Sequence, residues 1–98
     1  MTRDEKRHLS RVASLGCIAC RRVGLGATPA EIHHIRDGQG AGLRASHYET
    51  IPLYPPHHRT GGHGVAIHAG RKVWEENYGA EQELLRQIRA ELEMLYEH

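Results

Sequence analysis

The sequence predicts an α+β domain, and three observations carry that expectation. Apolar residues recur at helical spacing towards both ends of the chain. Two short runs with strand character, Glu31–Ile35 and Glu49–Tyr54, flank a glycine-rich stretch. Between and after them, histidine, glycine and proline are crowded where a packed core would need apolar side chains. The 98 residues allow one modest core and no second one. That core is thin, with no Phe, one Trp and eleven Gly, so a structural metal is expected to hold the central segment in shape.

Taken in order, Leu9, Val12, Ala13 and Leu15 place a short amphipathic helix over Arg3 to Leu15, with Asp4 and Glu5 in its first turn and Gly16 as its stop. It leads into a Cys17-x-x-Cys20 pair. The opening MTRDEKRHLS lacks the apolar stretch of a secretory signal, and no later run approaches the ~20 apolar residues of a membrane span. A cytoplasmic location is therefore expected, where such a pair is a metal knuckle or a redox pair rather than a lasting disulfide. The redox reading requires a βαβ setting, and none is visible.

Glu31–Ile35 (EIHHI) is the first strand, RDGQGAGLRAS a loop too glycine-rich to be regular, and Glu49–Tyr54 (ETIPLY) the second strand. Pro52 places the second strand at an edge or a bulge, and Pro55-Pro56 ends it. The two strands form a hairpin. Beyond His68, AGRKVWEENYG reads as a helix closed by Gly79, and AEQELLRQIRAELEMLYEH as a longer one. Leu84, Leu85, Ile88, Leu92 and Leu95 lie on one stripe of that helix, read as core contact with dimerisation as the alternative.

The net charge of +1 conceals a division: residues 1–72 hold eleven Lys/Arg against five Asp/Glu, and residues 73–98 two against seven. The basic part is the histidine-rich part, which suits a phosphate-bearing partner, although a solvated acidic helix gives the same division. Seven of the nine histidines lie between His33 and His68. A lone histidine is usually a solvated or hydrogen-bonded side chain. Doublets on either side of a glycine loop, with a cysteine pair nearby, point instead to metal ligation.

Adjacent residues on a strand face opposite ways, so His33 and His34 cannot present both rings alike to one ion. One can ligate while the other stays free. A free imidazole beside a bound metal suits hydrolysis, in which the metal polarises a phosphoryl oxygen and stabilises the leaving group while neutral histidine deprotonates water. The same geometry assigns His57 and His58 to two different metal sites.

The order EIHHI, glycine loop, TIPLYPPHH, helix resembles the HNH nuclease motif, a ββα-metal (His-Me finger) fold. More closely, IPLYPPHHRTGGHGVAIHAGRKVWEENYG is similar to the phage recombination-enhancement nucleases, the RecA-dependent HNH family. The resemblance spans about Cys17 to Gly79. It implies a single domain over 1–98, with a motif core at 17–79, a C-terminal helix at 80–98 and a zinc knuckle. It also implies that His34 is the general base and that His33, His58 and His68 hold a catalytic Mg²⁺, Mn²⁺ or Zn²⁺. Structural Zn²⁺ would take Cys17, Cys20 and a second pair at the end of the hairpin, where this sequence has Tyr54 and His57. Tyr54 departs from the usual Cys. His57 can still serve, and His63 is the candidate fourth ligand, because a structural zinc is closed by four protein groups.

The motif's middle Asn has no clear counterpart; Ser46, His47, Glu49 and Thr50 are the alternatives, with His47 read as facing solvent or orienting a neighbour. Arg36, Arg44, Arg59, Arg71 and Lys72 flank the site and could contact phosphates, though each alone is an ordinary surface charge. The nearly neutral total argues against strong unaided DNA affinity.

The resemblance thus implies a metal-dependent DNA endonuclease leaving 5′-phosphate and 3′-hydroxyl ends. It would act on DNA organised by a RecA-type recombinase filament, in the bacterial host cytoplasm if phage-encoded. The alternative is a non-catalytic zinc-binding nucleic-acid-binding module, against which the retained His34 tells. A third reading is a structural zinc protein joining partners through the leucine stripe. If His34 is the base, activity should fall as pH drops through its pKa, near ~6.5 when unperturbed.

Overall fold

Helix α1 (Arg3–Ser14) begins on a reciprocal cap: the Glu5 amide donates to Thr2 Oγ1 at 3.1 Å and the Thr2 amide to Glu5 Oε1 at 2.7 Å. These distances come from a computed structural model that describes residues 1–36 and 46–96. The helix stops where expected. Gly16 adopts φ 81°, and a Cβ there would meet the Ala27 Cβ at 2.6 Å, so only glycine fits both the backbone and the space. This turn delivers Cys17 to the start of a five-residue helix, α2 (Ile18–Arg22), which the sequence did not predict.

Strands β1 (Glu31–His34) and β2 (Thr50–Leu53) pair antiparallel, with Glu31 opposite Leu53, Ile32 opposite Pro52, His33 opposite Ile51 and His34 opposite Thr50. Both are one or two residues shorter than predicted. The Ile35 amide still donates to the Glu49 carbonyl at 2.9 Å, one step beyond the ladder. Among the described residues the sheet has two strands, so each is an edge there, and Pro52 is asked for no second partner strand. All four β2 residues are buried.

After β2 the chain makes a π-helical turn (Pro56–Thr60) and a 3₁₀ turn (Ile67–Ala69), then helices α3 (Arg71–Tyr78) and α4 (Glu81–Tyr96). Gly79 ends α3 with φ 118°. Val12, Ile18, Ile35, Ile51, Leu53, Trp74, Leu84 and Ile88 form one buried cluster drawn from helices and strands alike. The stripe on α4 faces this cluster through Leu84, Leu85, Ile88 and Leu92, whereas Leu95 is 57% exposed. The last turn has run past the core. No described helix is long and apolar enough to cross a membrane.

Candidate metal centres

Among the described residues, two groups of histidine and cysteine side chains come together, and the π-helical turn supplies one histidine to each. Cys17, Cys20 and His57 form the first, their ligand atoms all within 4.8 Å of one another. His57 Nδ1 lies 3.6 Å from Cys17 Sγ and 3.3 Å from Cys20 Sγ. Tetrahedral zinc with ordinary Zn–S and Zn–N bonds sets sulfur and nitrogen about 3.6 Å apart. The spacing fits that ion.

The local fold fixes this group from both sides. The Cys20 amide donates to Cys17 Sγ at 3.3 Å, as a tight cysteine knuckle does. The Cys17 amide donates to the Thr28 carbonyl at 3.0 Å. Trp74 Nε1 donates to the His57 carbonyl at 3.0 Å, and the Tyr78 ring packs 4.9 Å from the imidazole. Burial pushes the Cys20 thiol up and the His57 imidazole down. A neutral imidazole is ready to ligate, whereas thiolates in this setting need a cation beside them.

Of the other residues considered for this group, Tyr54 is 37% exposed with its ring 6.4 Å from that of His57. His63 is on the surface, its Nδ1 3.4 Å from the Ala69 carbonyl oxygen. The structure does not bring His63 to Cys17, Cys20 and His57.

His33, His58 and His68 form the second group, with ligand atoms again within 4.8 Å of one another. Ring centroids are 5.0 Å apart for His33 and His58, 5.5 Å for His33 and His68, and 4.3 Å for His58 and His68. His33 comes from β1, His58 from the π-helical turn and His68 from the 3₁₀ turn. They line a cavity of about 350 Å³ shared with His34, Arg36, Arg71 and Glu81. Burial is the main influence holding His58 and His68 below the usual imidazole range, with His33 adding to it in both. Neutral rings with free lone pairs suit a divalent cation.

Two carboxylates that the sequence reading passed over touch this group. Glu81, 2% exposed at the start of α4, places Oε2 2.6 Å from His33 Nε2. Glu31 places Oε2 2.5 Å from His58 Nδ1. Each is also held by an arginine: Arg59 reaches Glu31 at 2.7 and 3.1 Å, and Arg71 reaches Glu81 at 3.3 Å. Arg59, with His58, holds the Glu31 carboxyl down at about 2. A signal for Glu31 was present, because residues i and i+2 of a strand share a face and Glu31 stands two before His33. Nothing local marks Glu81.

His34 stands apart from both groups. Its Nε2 lies 2.9 Å from His47 Nδ1, and the Thr50 hydroxyl donates to the His47 carbonyl at 3.0 Å. Burial, ahead of His47, His33 and Arg36, pushes the His34 imidazole down and favours its neutral form. Arg36 and Lys72 are exposed, and Arg59 and Arg71 are each more than half exposed despite their carboxylate partners. Arg44 lies outside the described residues.

A buried Cys₂His group and a three-histidine group lining a cavity, each able to hold a metal ion, are thus carried by a small α+β protein. Residues 1–93 match the model of the family described as recombination enhancement, RecA-dependent nuclease, and the chain belongs to that family. No curated protein matches it. The family is one of nucleases and implicates DNA and RecA in the protein's work.

Proposed function

We propose that the chain is a single HNH-type domain, with the β-hairpin and α3 as its ββα unit, and that it hydrolyses phosphodiester bonds in DNA bound by a RecA-type filament. One observation carries this reading: His34 lines the same cavity as the three clustered histidines yet spends its ring on His47 and not on them. His33, His58 and His68 would hold a divalent cation, Mg²⁺, Mn²⁺ or Zn²⁺. Such an ion would polarise a phosphoryl oxygen and stabilise the leaving oxygen.

The remaining steps belong to the chain's own residues. Two imidazole nitrogens 2.9 Å apart share one hydrogen, so one ring donates and the other accepts. With the hydrogen on His34 Nε2, the His34 Nδ1 lone pair is left to take a proton from water. The water oxygen then attacks phosphorus, the P–O3′ bond breaks, O3′ takes a proton from solvent, and the products are a 5′-phosphate and a 3′-hydroxyl. His47, fixed by Thr50, thereby does the orienting work of the motif's middle residue. Arg36, Arg44, Arg59, Arg71 and Lys72 would position phosphates around the cavity, and Cys17, Cys20 and His57 would hold a structural Zn²⁺.

The test is plasmid cleavage with Mg²⁺, Mn²⁺ or Zn²⁺, with and without recombinase and ATP. His34→Ala should keep the fold, ion uptake and DNA binding but lose cleavage by ~10²–10⁴-fold, as when a general base is removed. Binding to DNA without cleavage by the wild type under every condition would favour a non-catalytic zinc-binding module. A His34→Ala protein that cuts at the wild-type rate would show that another group takes the proton.

A further inference from the structure

A metal-binding histidine has two ring nitrogens, and only the one without a hydrogen can ligate. Which nitrogen that is depends on the partner of the other. An ionised carboxylate only accepts hydrogen bonds, so a neutral imidazole facing one must turn its N–H towards it. Glu81 Oε2 stands 2.6 Å from His33 Nε2, and Glu31 Oε2 stands 2.5 Å from His58 Nδ1. The two contacts use opposite nitrogens, leaving the lone pairs on His33 Nδ1 and His58 Nε2.

We infer that Glu81 is a positioning residue of the three-histidine site, fixing the His33 tautomer so that Nδ1 is presented to the ion, and that Glu31 does the same for His58 Nε2. This rests on the reading of His33, His58 and His68 as an ion site. The Glu81 carboxylate, 2% exposed, has given up most of its hydration, and its oxygens go to His33 and to Arg71, which lies 3.3 Å away. Its own amide donates to Glu75 Oε2 at 2.7 Å, and Arg71 also lies 3.7 Å from Glu75 Oε1. The side chain is thus held by Arg71 and the backbone it leaves from by Glu75, both residues of α3. The Arg59–Glu31–His58 chain repeats the pattern, so each of the two buried histidines of the group has an arginine-backed carboxylate. Helix α4, beyond the hairpin and α3, thereby becomes part of the site.

The experiment needs neither DNA nor cleavage. In the full chain with the Cys17/Cys20/His57 group filled with Zn²⁺, long-range ¹H–¹⁵N spectra before Co²⁺ is added should show His33 protonated at Nε2 and His58 at Nδ1. Glu81→Ala should abolish the His33 preference while leaving that of His58, and should weaken Co²⁺ binding at the histidine site by ~10–100-fold. Glu81→Gln keeps the volume and an accepting carbonyl, so it should retain the Nε2–H tautomer and lose less affinity. It also covers the case in which Glu81→Ala does not fold. A wild-type hydrogen on His33 Nδ1 would overturn the inference. Wild-type Co²⁺ affinity that both variants leave within about twofold would overturn it while the ion site stands; a wild type that takes up no Co²⁺ there removes the site and the inference together.

Discussion

The Cys₂His group and the three-histidine group each take one histidine from the same π-helical turn, yet their surroundings are opposed. Cys17, Cys20 and His57 are 0, 1 and 7% exposed and are enclosed by the Trp74 indole, the Tyr78 ring and backbone amides. His33 and His58 are 8% exposed, His68 is on the surface, and the group opens on a cavity with carboxylates and arginines around it. Structural zinc sites are closed by protein, whereas catalytic ones keep a position open and surround their ligands with polar partners. Residues adjacent in sequence, His57 and His58, fall on opposite sides of that division. His57 and His58 are equally buried, so the difference teaches that the polarity of the neighbours and the exposure of His68, with the change of ligand type, separate the roles proposed for the two groups.

The sharpest way to break the comparison is to unmake the closed group. Metal affinity that exists only in the folded state is folding free energy, ~10–16 kcal/mol in isolated zinc fingers. The present domain has an apolar cluster of its own and should lose less, but Cys17→Ser should still lower zinc content and melt the domain at ordinary temperatures. Zinc analysis and circular dichroism on the same sample check this. Unchanged stoichiometry together with unchanged melting would mean that the group is no more than a pair of buried thiols beside an imidazole.

The open group should respond differently. His68→Ala removes an exposed ligand from the edge of the cavity, so ion uptake there should weaken by ~10-fold or more, at least about 1.4 kcal/mol. The zinc at Cys17, Cys20 and His57 should remain, and the melting temperature with it. Calorimetric titration of the purified chain, paired with thermal unfolding, reads both. A large fall in stability with no change in ion uptake would exchange the roles of the two groups.

How much of this was legible in the sequence depends on the length scale of each feature. The helices at both ends and the hairpin follow from local periodicity and from Gly16, Gly79 and Pro55, so the α+β outline needs no tertiary information. Helix α2 and the two turns at Pro56–Thr60 and Ile67–Ala69 are too short for a period, and they were not predicted. The separation of His57 from His58 was legible from their adjacency, although strand geometry was the wrong reason. They lie on a π-helical turn, where neighbouring side chains also diverge. Glu31 could have been found from strand alternation. Glu81 could not, since a buried acid at a helix start becomes visible only once α4 is folded against His33. Nor could the closeness of His47 to His34, which joins β1 to the stretch before β2.

Helix α4 links the two groups, and its contact with the closed one gives the smallest effect. Arg21, next to Cys20, forms a two-pronged bridge to Glu91 at 2.8 and 3.0 Å, and Gln87 donates to the same carboxylate at 3.1 Å. Burial alone would raise the Glu91 carboxyl, but the Arg21 and Gln87 hydrogen bonds and the Arg21 charge outweigh it and hold the group below its ordinary value. A carboxyl depressed in the folded state contributes stability above its unfolded pKa, near ~4.3, and loses that contribution as pH falls through the folded value. The pair is about a quarter exposed on each side, so its worth is bounded near that of a good surface bridge, ~1 kcal/mol. Glu91→Gln should therefore lower the melting temperature by ~4–8 °C at pH 7 in a domain of this size. The gap between variant and wild type should narrow as pH is taken below about 4.3. Melting curves of the two proteins in parallel buffers measure this difference directly, and any acid release of metal common to both cancels from it. A gap that stays constant with pH would mean that Glu91 anchors α2 through packing and not through its charge. The closed group would then depend on α4 by shape alone, while the open group, through Glu81, depends on it by a carboxylate.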